Sequence, residues 1–223
     1  MTKDKAIDNL DTVITKIEKA RLEVSDHLIV QLVAISKYSV SKDIDTLYQS
    51  GQRAFGENKV QDFKAKSQEL EELPLSWHFV GNLQKNKINN LIDLNPTLFH
   101  GLDSLDLALE LDKKLKAKDK TMNCLLQINS ANEDTKSGLM PNVALEVFNK
   151  IKNECSSINL KGVMSIGAHS TNEDDIKQSF ITTKEIFDKC EGATICSMGM
   201  SSDFELAISC GSNMVRVGSA LFK

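Results

Sequence analysis

Two features of this 223-residue chain could act together on a phosphorylated carbonyl compound. The first is Lys37, which ends the apolar run Leu32-Val33-Ala34-Ile35-Ser36. Desolvation at the end of a buried run, or a nearby cation, disfavours the ammonium form and leaves a neutral amine able to attack an aldehyde. The second is a pair of glycine and hydroxyl segments, Met198-Gly199-Met200-Ser201-Ser202-Asp203 and Arg216-Val217-Gly218-Ser219-Ala220. Free N–H groups and the helix dipole at such helix starts favour an anion. The alternative is that these are turn glycines with ordinary caps. Arg216 shares a strand face with Met214, and an inward arginine is costly to bury without an acceptor. That acceptor is either a carboxylate in an ion pair or an atom of a ligand.

The elements that must position these groups follow from two alternating periodicities. Short apolar, β-rich runs are each followed by a longer polar stretch with helical spacing. A first helix carries Ile7, Leu10, Val13, Ile14, Ile17 and Ala20 at three- and four-residue steps. Strands are expected at 27–37, 54–56, 75–81, 98–101, 122–129, 162–167, 194–198 and 215–217. Helices are expected at 44–50, 60–70, 84–92 and 105–118, from Pro141, after Thr171-x-x-Asp174, and after Ser202-x-x-Glu205 as a capping box. Eight such units predict one (β/α)8 TIM barrel domain over residues 1–223 with an additional N-terminal helix. A doubly wound open sheet accommodates eight regular units less well.

Composition narrows the function. Of the residues, 41% are hydrophobic, enough for one sizeable core, and the formal net charge of -4 argues against nucleic acid as a partner. The charged start Met1-Thr2-Lys3-Asp4-Lys5 leads into no apolar export signal, and no run is long enough for a membrane span. The five cysteines form no Cys-x-x-Cys pair and read as reduced, so a cytoplasmic protein is expected, most simply a monomer. The four histidines lack metal-ligand spacing, and no metal is expected.

Active mouths of these barrels lie at the C-terminal strand ends, where phosphate sites often use the loops after strands seven and eight. Strand one neighbours strand eight in a closed barrel, so such a phosphate would sit a short distance from Lys37. A flat phosphorylated aldehyde the size of pyridoxal 5'-phosphate bridges that gap, with its ring nitrogen as acceptor for Arg216. Because arginine does not give up its proton, it would keep that nitrogen unprotonated and the ring a weak electron sink.

These residues also carry a resemblance. Val33-Ala34-Ile35-Ser36-Lys37, Phe55-Gly56-Glu57-Asn58-Lys59-Val60-Gln61, Trp77-His78-Phe79-Val80-Gly81-Asn82-Leu83-Gln84-Lys85-Asn86-Lys87, Lys136-Ser137-Gly138, Ser197-Met198-Gly199-Met200-Ser201-Ser202-Asp203 and Val215-Arg216-Val217-Gly218-Ser219-Ala220 stand in order along nearly the whole chain. The sequence resembles the pyridoxal phosphate homeostasis proteins, whose fold is similar to the barrel domain of alanine racemases without the racemase C-terminal domain. The resemblance implies that Lys37 holds pyridoxal 5'-phosphate as a Schiff base and that Arg216 faces the ring nitrogen. It implies that Ser201, Gly218 and Ser219 hold the phosphate and that Asn58 lines the pocket. It implies buffering or delivery of the cofactor, with apo pyridoxal-phosphate enzymes as transient partners, and no established turnover. Asn82 stands where the family pattern has histidine, Lys59 where an aromatic is common, and Tyr38 where threonine is common.

Other residues have competing readings. His78 alternates with Trp77 and Phe79, and is either a satisfied strand histidine or a catalytic one. His169 sits at the mouth, where it could act as acid or base. Lys136-Ser137-Gly138 is either a hinged lid or an ordinary loop, and the Lys113–Lys120 charge run a solvated helix face. An amino-acid racemase is the main alternative function. It would need a second base, and Tyr38 is expected to alternate away from Lys37 while Tyr48 lies in a helix. A cofactor-free aldolase-like barrel lacks an acid or base beside the lysine.

Overall fold

The computed structural model describes residues 1–133 and 136–223. Eight parallel strands close into a barrel in chain order: β1 (Gln31–Ile35), β2 (Ala54–Glu57), β3 (Ser76–Phe79), β4 (Leu98–Leu102), β5 (Met122–Ile128), β6 (Ile158–Ser165), β7 (Ile195–Ser197) and β8 (Met214–Val217). The expected (β/α)8 barrel with an added N-terminal helix is the observed fold. α1 (Lys3–Val24) precedes the barrel, and α2 (Ser41–Gln49), α3 (Val60–Glu69), α4 (Ile88–Leu94), α5 (Leu105–Ala117), α6 (Pro141–Glu154), α7 (Glu173–Phe187) and α8 (Phe204–Ser209) fill the connections. A short α9 (Ser219–Phe222), absent from the sequence reading, follows β8.

Closure depends on β1 and β8, which pair in parallel with Val33 beside Arg216 and Ala34 beside Val217. Strand alternation then sorts side chains into two cores. Phe55, Phe79, Phe99, Leu126, Val163, Cys196, Val215 and Val217 face outward under the helices. Val33, Leu98, Leu125, Met164 and Met214 pack together inside as an apolar plug. Above it the interior turns polar, with His78, His100, Gln127, Ser197 and Arg216 all buried.

α1 buries Ala6, Leu10, Val13, Ile17 and Ala20 against α2, α8 and α9. The stripe is narrower than expected: Ile7 and Ile14 lie on its flanks, 36% and 43% exposed, because the helix sits against neighbours on one side only. Three other local expectations change. β1 is shorter than 27–37 at both ends and stops before Ser36. Asn172, not Thr171, caps α7, accepting from the Asp174 N–H at 3.1 Å. No capping box opens α8, since Asp203 Oδ1 accepts instead from the Met200 N–H at 2.6 Å. Among the described residues, no helix is long and apolar enough to cross a membrane.

Gly162 in β6 has φ +152°, and a Cβ there would lie 1.9 Å from the Ile195 carbonyl oxygen across the strand pair. Gly162→Ala must push β6 and β7 apart. We expect about 2 kcal/mol of destabilisation, seen as a drop of roughly 4–8 °C in Tm for a chain of this size. Thermal unfolding followed by circular dichroism checks it, and an unchanged Tm would show that the strand pair yields without cost.

Candidate functional site

The polar mouth is built most firmly at β7 and β8. Arg216 is inside the barrel, on the Met214 face as alternation required. It donates from Nη1 to the Ser197 carbonyl (2.9 Å) and Ser197 Oγ (2.6 Å), and from Nη2 to the Ser165 carbonyl (2.8 Å). Burial pushes its pKa down to about 10, opposed by the nearby Asp203 carboxylate, so the guanidinium stays charged at neutral pH. Among the described residues it makes no ion pair, and three of the five guanidinium N–H donors are engaged. The rest are available to an acceptor in the barrel. Ser165 and Ser197, which hold the arginine, were not singled out from the sequence. Alternation with Ile195 marks Ser197 as inward, but Ser165 acts through its backbone, which no side-chain pattern reports.

One alternation step beyond Arg216 comes Gly218. Ser201 Oγ accepts from the Gly218 N–H at 3.1 Å and the Ala220 N–H at 3.5 Å. Ser201 thus reaches across from the β7 loop to the start of α9. Both amides are engaged by Ser201 Oγ here; they would become donors suited to phosphate oxygens if the hydroxyl turned aside. The Gly218 backbone runs close to β1, since a Cβ on it would lie 3.2 Å from the Ile35 carbonyl oxygen. Ser219 opens α9 and is exposed.

Lys37 sits in a turn just beyond β1, two residues past the inward Ile35, and its side chain is exposed. The protein thus does not supply the desolvation that its place in the sequence suggested. The strand stops early because the Ser36 carbonyl bonds the Ser39 N–H (2.9 Å) and turns the chain. In that turn Lys37 Nζ lies 4.8 Å from the centre of the Tyr38 ring. Alternation, which would have separated the two, does not operate outside a strand. Asn58, half-buried after β2, sits where its carbonyl meets Gly81: a Cβ on Gly81 would lie 2.0 Å from the Asn58 oxygen. Glu57 is part of β2 and turns outward beneath α3.

The remaining candidates divide. His78 is a satisfied interior histidine: its Nδ1 lies 2.9 Å from His100 Nε2, and burial pushes its pKa down to about 4. His100, not anticipated, is fully buried, and its Nδ1 has no described partner. His169 is exposed at the mouth, placed by its N–H to Glu133 Oε1 (2.9 Å). Lys136 bonds the Gly167 carbonyl (2.8 Å) and Ser137 accepts from Asn82 Nδ2 (2.7 Å), so this segment is tied to the β6 and β3 loops. A cavity of about 340 Å³ lined by Lys136, Gly167, His169, Met200 and Asp203 opens here, beside the β7 loop. A larger groove of about 540 Å³ lies outside the barrel between α1, α7 and α8, and its lining includes none of Lys37, Asn58, Ser201, Arg216, Gly218 and Ser219. Among the described residues no cluster could hold a metal.

The family model described as alanine racemase, N-terminal domain, matches residues 9–223. The chain belongs to this class of barrel. A relative from Helicobacter pylori named pyridoxal phosphate homeostasis protein is 54% identical over 96% of each chain. One of the same name from Mus musculus is 35% identical over 86% of this chain and 76% of its own. Within the class, the chain is a member of the pyridoxal phosphate homeostasis protein family. The solved structure of PipY from Synechococcus elongatus PCC7942, with PLP bound, superposes with TM-score 0.84 at 28% identity, covering 98% of this chain and 100% of that one. An alanine racemase from Clostridium difficile 630 shares the fold (TM-score 0.73, 17% identity), with 96% of this chain covering 56% of it.

Neutral His78 has a consequence for stability. Its folded pKa of about 4 lies below the unfolded value of 6.5, so the unfolded chain binds more protons between them. Stability contributed by His78 is full above 6.5 and is lost as pH falls towards 4. From this group alone about 2 kcal/mol should disappear between pH 7 and pH 5. Urea unfolding at the two pH values measures it, and His78→Gln should flatten the slope; an equally steep slope in the variant would assign it elsewhere.

Proposed function

We propose that this chain binds pyridoxal 5'-phosphate, held as a Schiff base on Lys37, and serves in its homeostasis by buffering or delivering it. The observation that carries the reading is the line of groups along β8. Buried, charged Arg216 lies below the Gly218 and Ala220 amides, and the strand pairs with β1, whose following turn carries Lys37. Ser201, Gly218 and Ser219 would hold the phosphate, Arg216 would donate to the ring nitrogen, and Asn58 would line the pocket. The cofactor supplies one thing, an aldehyde that accepts an amine reversibly. Lys37 would supply the amine that condenses with that aldehyde, one water leaving, and the return of water would free both. The names of the relatives and the PLP in the PipY structure support the reading.

The donor that Arg216 offers would keep a ring nitrogen unprotonated, which disfavours most carbanion chemistry other than racemization. A racemase would need a base on the face opposite Lys37, and Tyr38 packs against Lys37 itself. We further propose a single cytoplasmic domain working as a monomer, with apo pyridoxal-phosphate enzymes as transient recipients.

Purified protein mixed with the cofactor should turn yellow, and borohydride should fix one cofactor on Lys37, located by peptide mass spectrometry. Lys37→Ala should abolish the fixation, while Ser201→Ala should weaken affinity about 10-fold, the worth of one hydrogen bond to a charged group. A chain that gains no visible absorbance with excess cofactor would overturn the proposal. So would label fixed on a lysine other than Lys37.

A further inference from the structure

We infer that Glu57 and Lys66 form a buried clamp on the peptide that carries Lys37 and act as positioning residues for its amine; the inference rests on Lys37 being the cofactor anchor. Glu57 is fully buried on the outer face of β2. Its Oε1 accepts from Ser36 Oγ at 2.6 Å and from Lys66 Nζ at 2.6 Å. Lys66, from α3, also donates to the Ser36 carbonyl oxygen at 2.7 Å. That oxygen belongs to the peptide bond joining Ser36 to Lys37. The Ser36 N–H is bonded in turn to the Gly56 carbonyl at 3.0 Å. All three polar atoms of Ser36 are therefore held, one residue before an otherwise exposed lysine.

Stability alone does not account for this arrangement. A buried ion pair is often no better than apolar side chains of similar volume, because desolvation offsets the attraction. Here one carboxylate oxygen, Glu57 Oε2, has no described partner, which adds to that cost. What the pair does that apolar side chains cannot is hold a backbone carbonyl. With β1 ended at Ile35, the Lys37 turn depends on the Ser39 N–H and on Lys66 for its orientation. Loosening it spreads the amine over more positions, which costs a covalent bond at Lys37 but not contacts made by β7 and β8.

The experiment compares two ligands with the same ring and phosphate: pyridoxal 5'-phosphate, and pyridoxine 5'-phosphate, which has no aldehyde. Affinities are measured on the full chain for the wild type, Lys37→Ala, Lys66→Met, and the double variant Glu57→Met with Lys66→Met. The double variant removes both charges together and keeps the fold testable if the single one is unstable. Lys37→Ala should erase the advantage of the aldehyde ligand. Both clamp variants should lose at least about tenfold of that advantage, with pyridoxine 5'-phosphate bound within about twofold of wild type. If Lys37→Ala loses the advantage and the clamp variants keep it, the clamp is overturned and the anchor stands. If the clamp variants weaken both ligands equally, the pair serves only the fold and the inference fails. If Lys37→Ala also keeps the advantage, the anchor is wrong and the clamp falls with it.

Discussion

The parallel pairing of β1 with β8 is the constraint from which the site follows, because it turns the two ends of the barrel sequence into neighbours. Registering Val33 with Arg216 and Ala34 with Val217 puts the turn after β1 beside the turn after β8. Gly218 permits that approach, with the Ile35 carbonyl close to where a side chain would begin. Ser201 adds the β7 loop through its bonds to the Gly218 and Ala220 amides. None of these groups is a site alone. A short α9 cannot hold an anion by its dipole, and a solvated lysine is one of many. Closure of the barrel makes them one constellation.

The interior explains how a guanidinium can sit inside the barrel. Apolar side chains from Val33, Leu98, Leu125, Met164 and Met214 fill the lower part, where polar groups would be costly. Directly above, the ring of polar side chains is satisfied largely within itself: Arg216 by Ser197 and Ser165, His78 by His100. Burial keeps both histidines neutral, so Arg216 is the one clear positive charge of that layer among the described residues. On the proposed reading, a fixed cation with donors left over, facing a neutral floor, would orient a polar aromatic ring without providing an acid.

Much of this was legible in the sequence because it depends on local period. Eight apolar runs alternating with helical spacing specify a closed parallel barrel, and Met214 with Arg216 gives the inward face of β8 by alternation alone. What failed depended on geometry beyond one element. Lys37 was placed at the right strand end, but its exposure and its contact with Tyr38 follow from a turn whose hydrogen bonds come from Ser39 and α3. Ser201 stands beside a helix start in the sequence, and no local pattern shows that its hydroxyl spans two loops. Glu57 lies within a motif of the β2 loop, yet its partner Lys66 is one of many helix lysines. Only the packing of α3 on β2 distinguishes it. His100 shows the same limit, since a lone strand histidine has no visible partner until β3 and β4 are brought side by side.

Where the amine stands bears on what the protein does with a bound aldehyde. A catalytic lysine is enclosed, so that water neither competes with substrate nor hydrolyses intermediates. Lys37 stands instead on an exposed turn at the rim, while the groups that would orient phosphate and ring run from buried Arg216 on β8 up to Ser201, Gly218 and Ser219 in the adjoining turns. On the proposed reading this divides the labour. Directional contacts at β7 and β8 select and align the cofactor, and a covalent bond at the rim retains it while leaving the linkage open to water and to another protein's lysine. A site built this way trades catalytic enclosure for reversible release, which is the property that buffering or delivery requires.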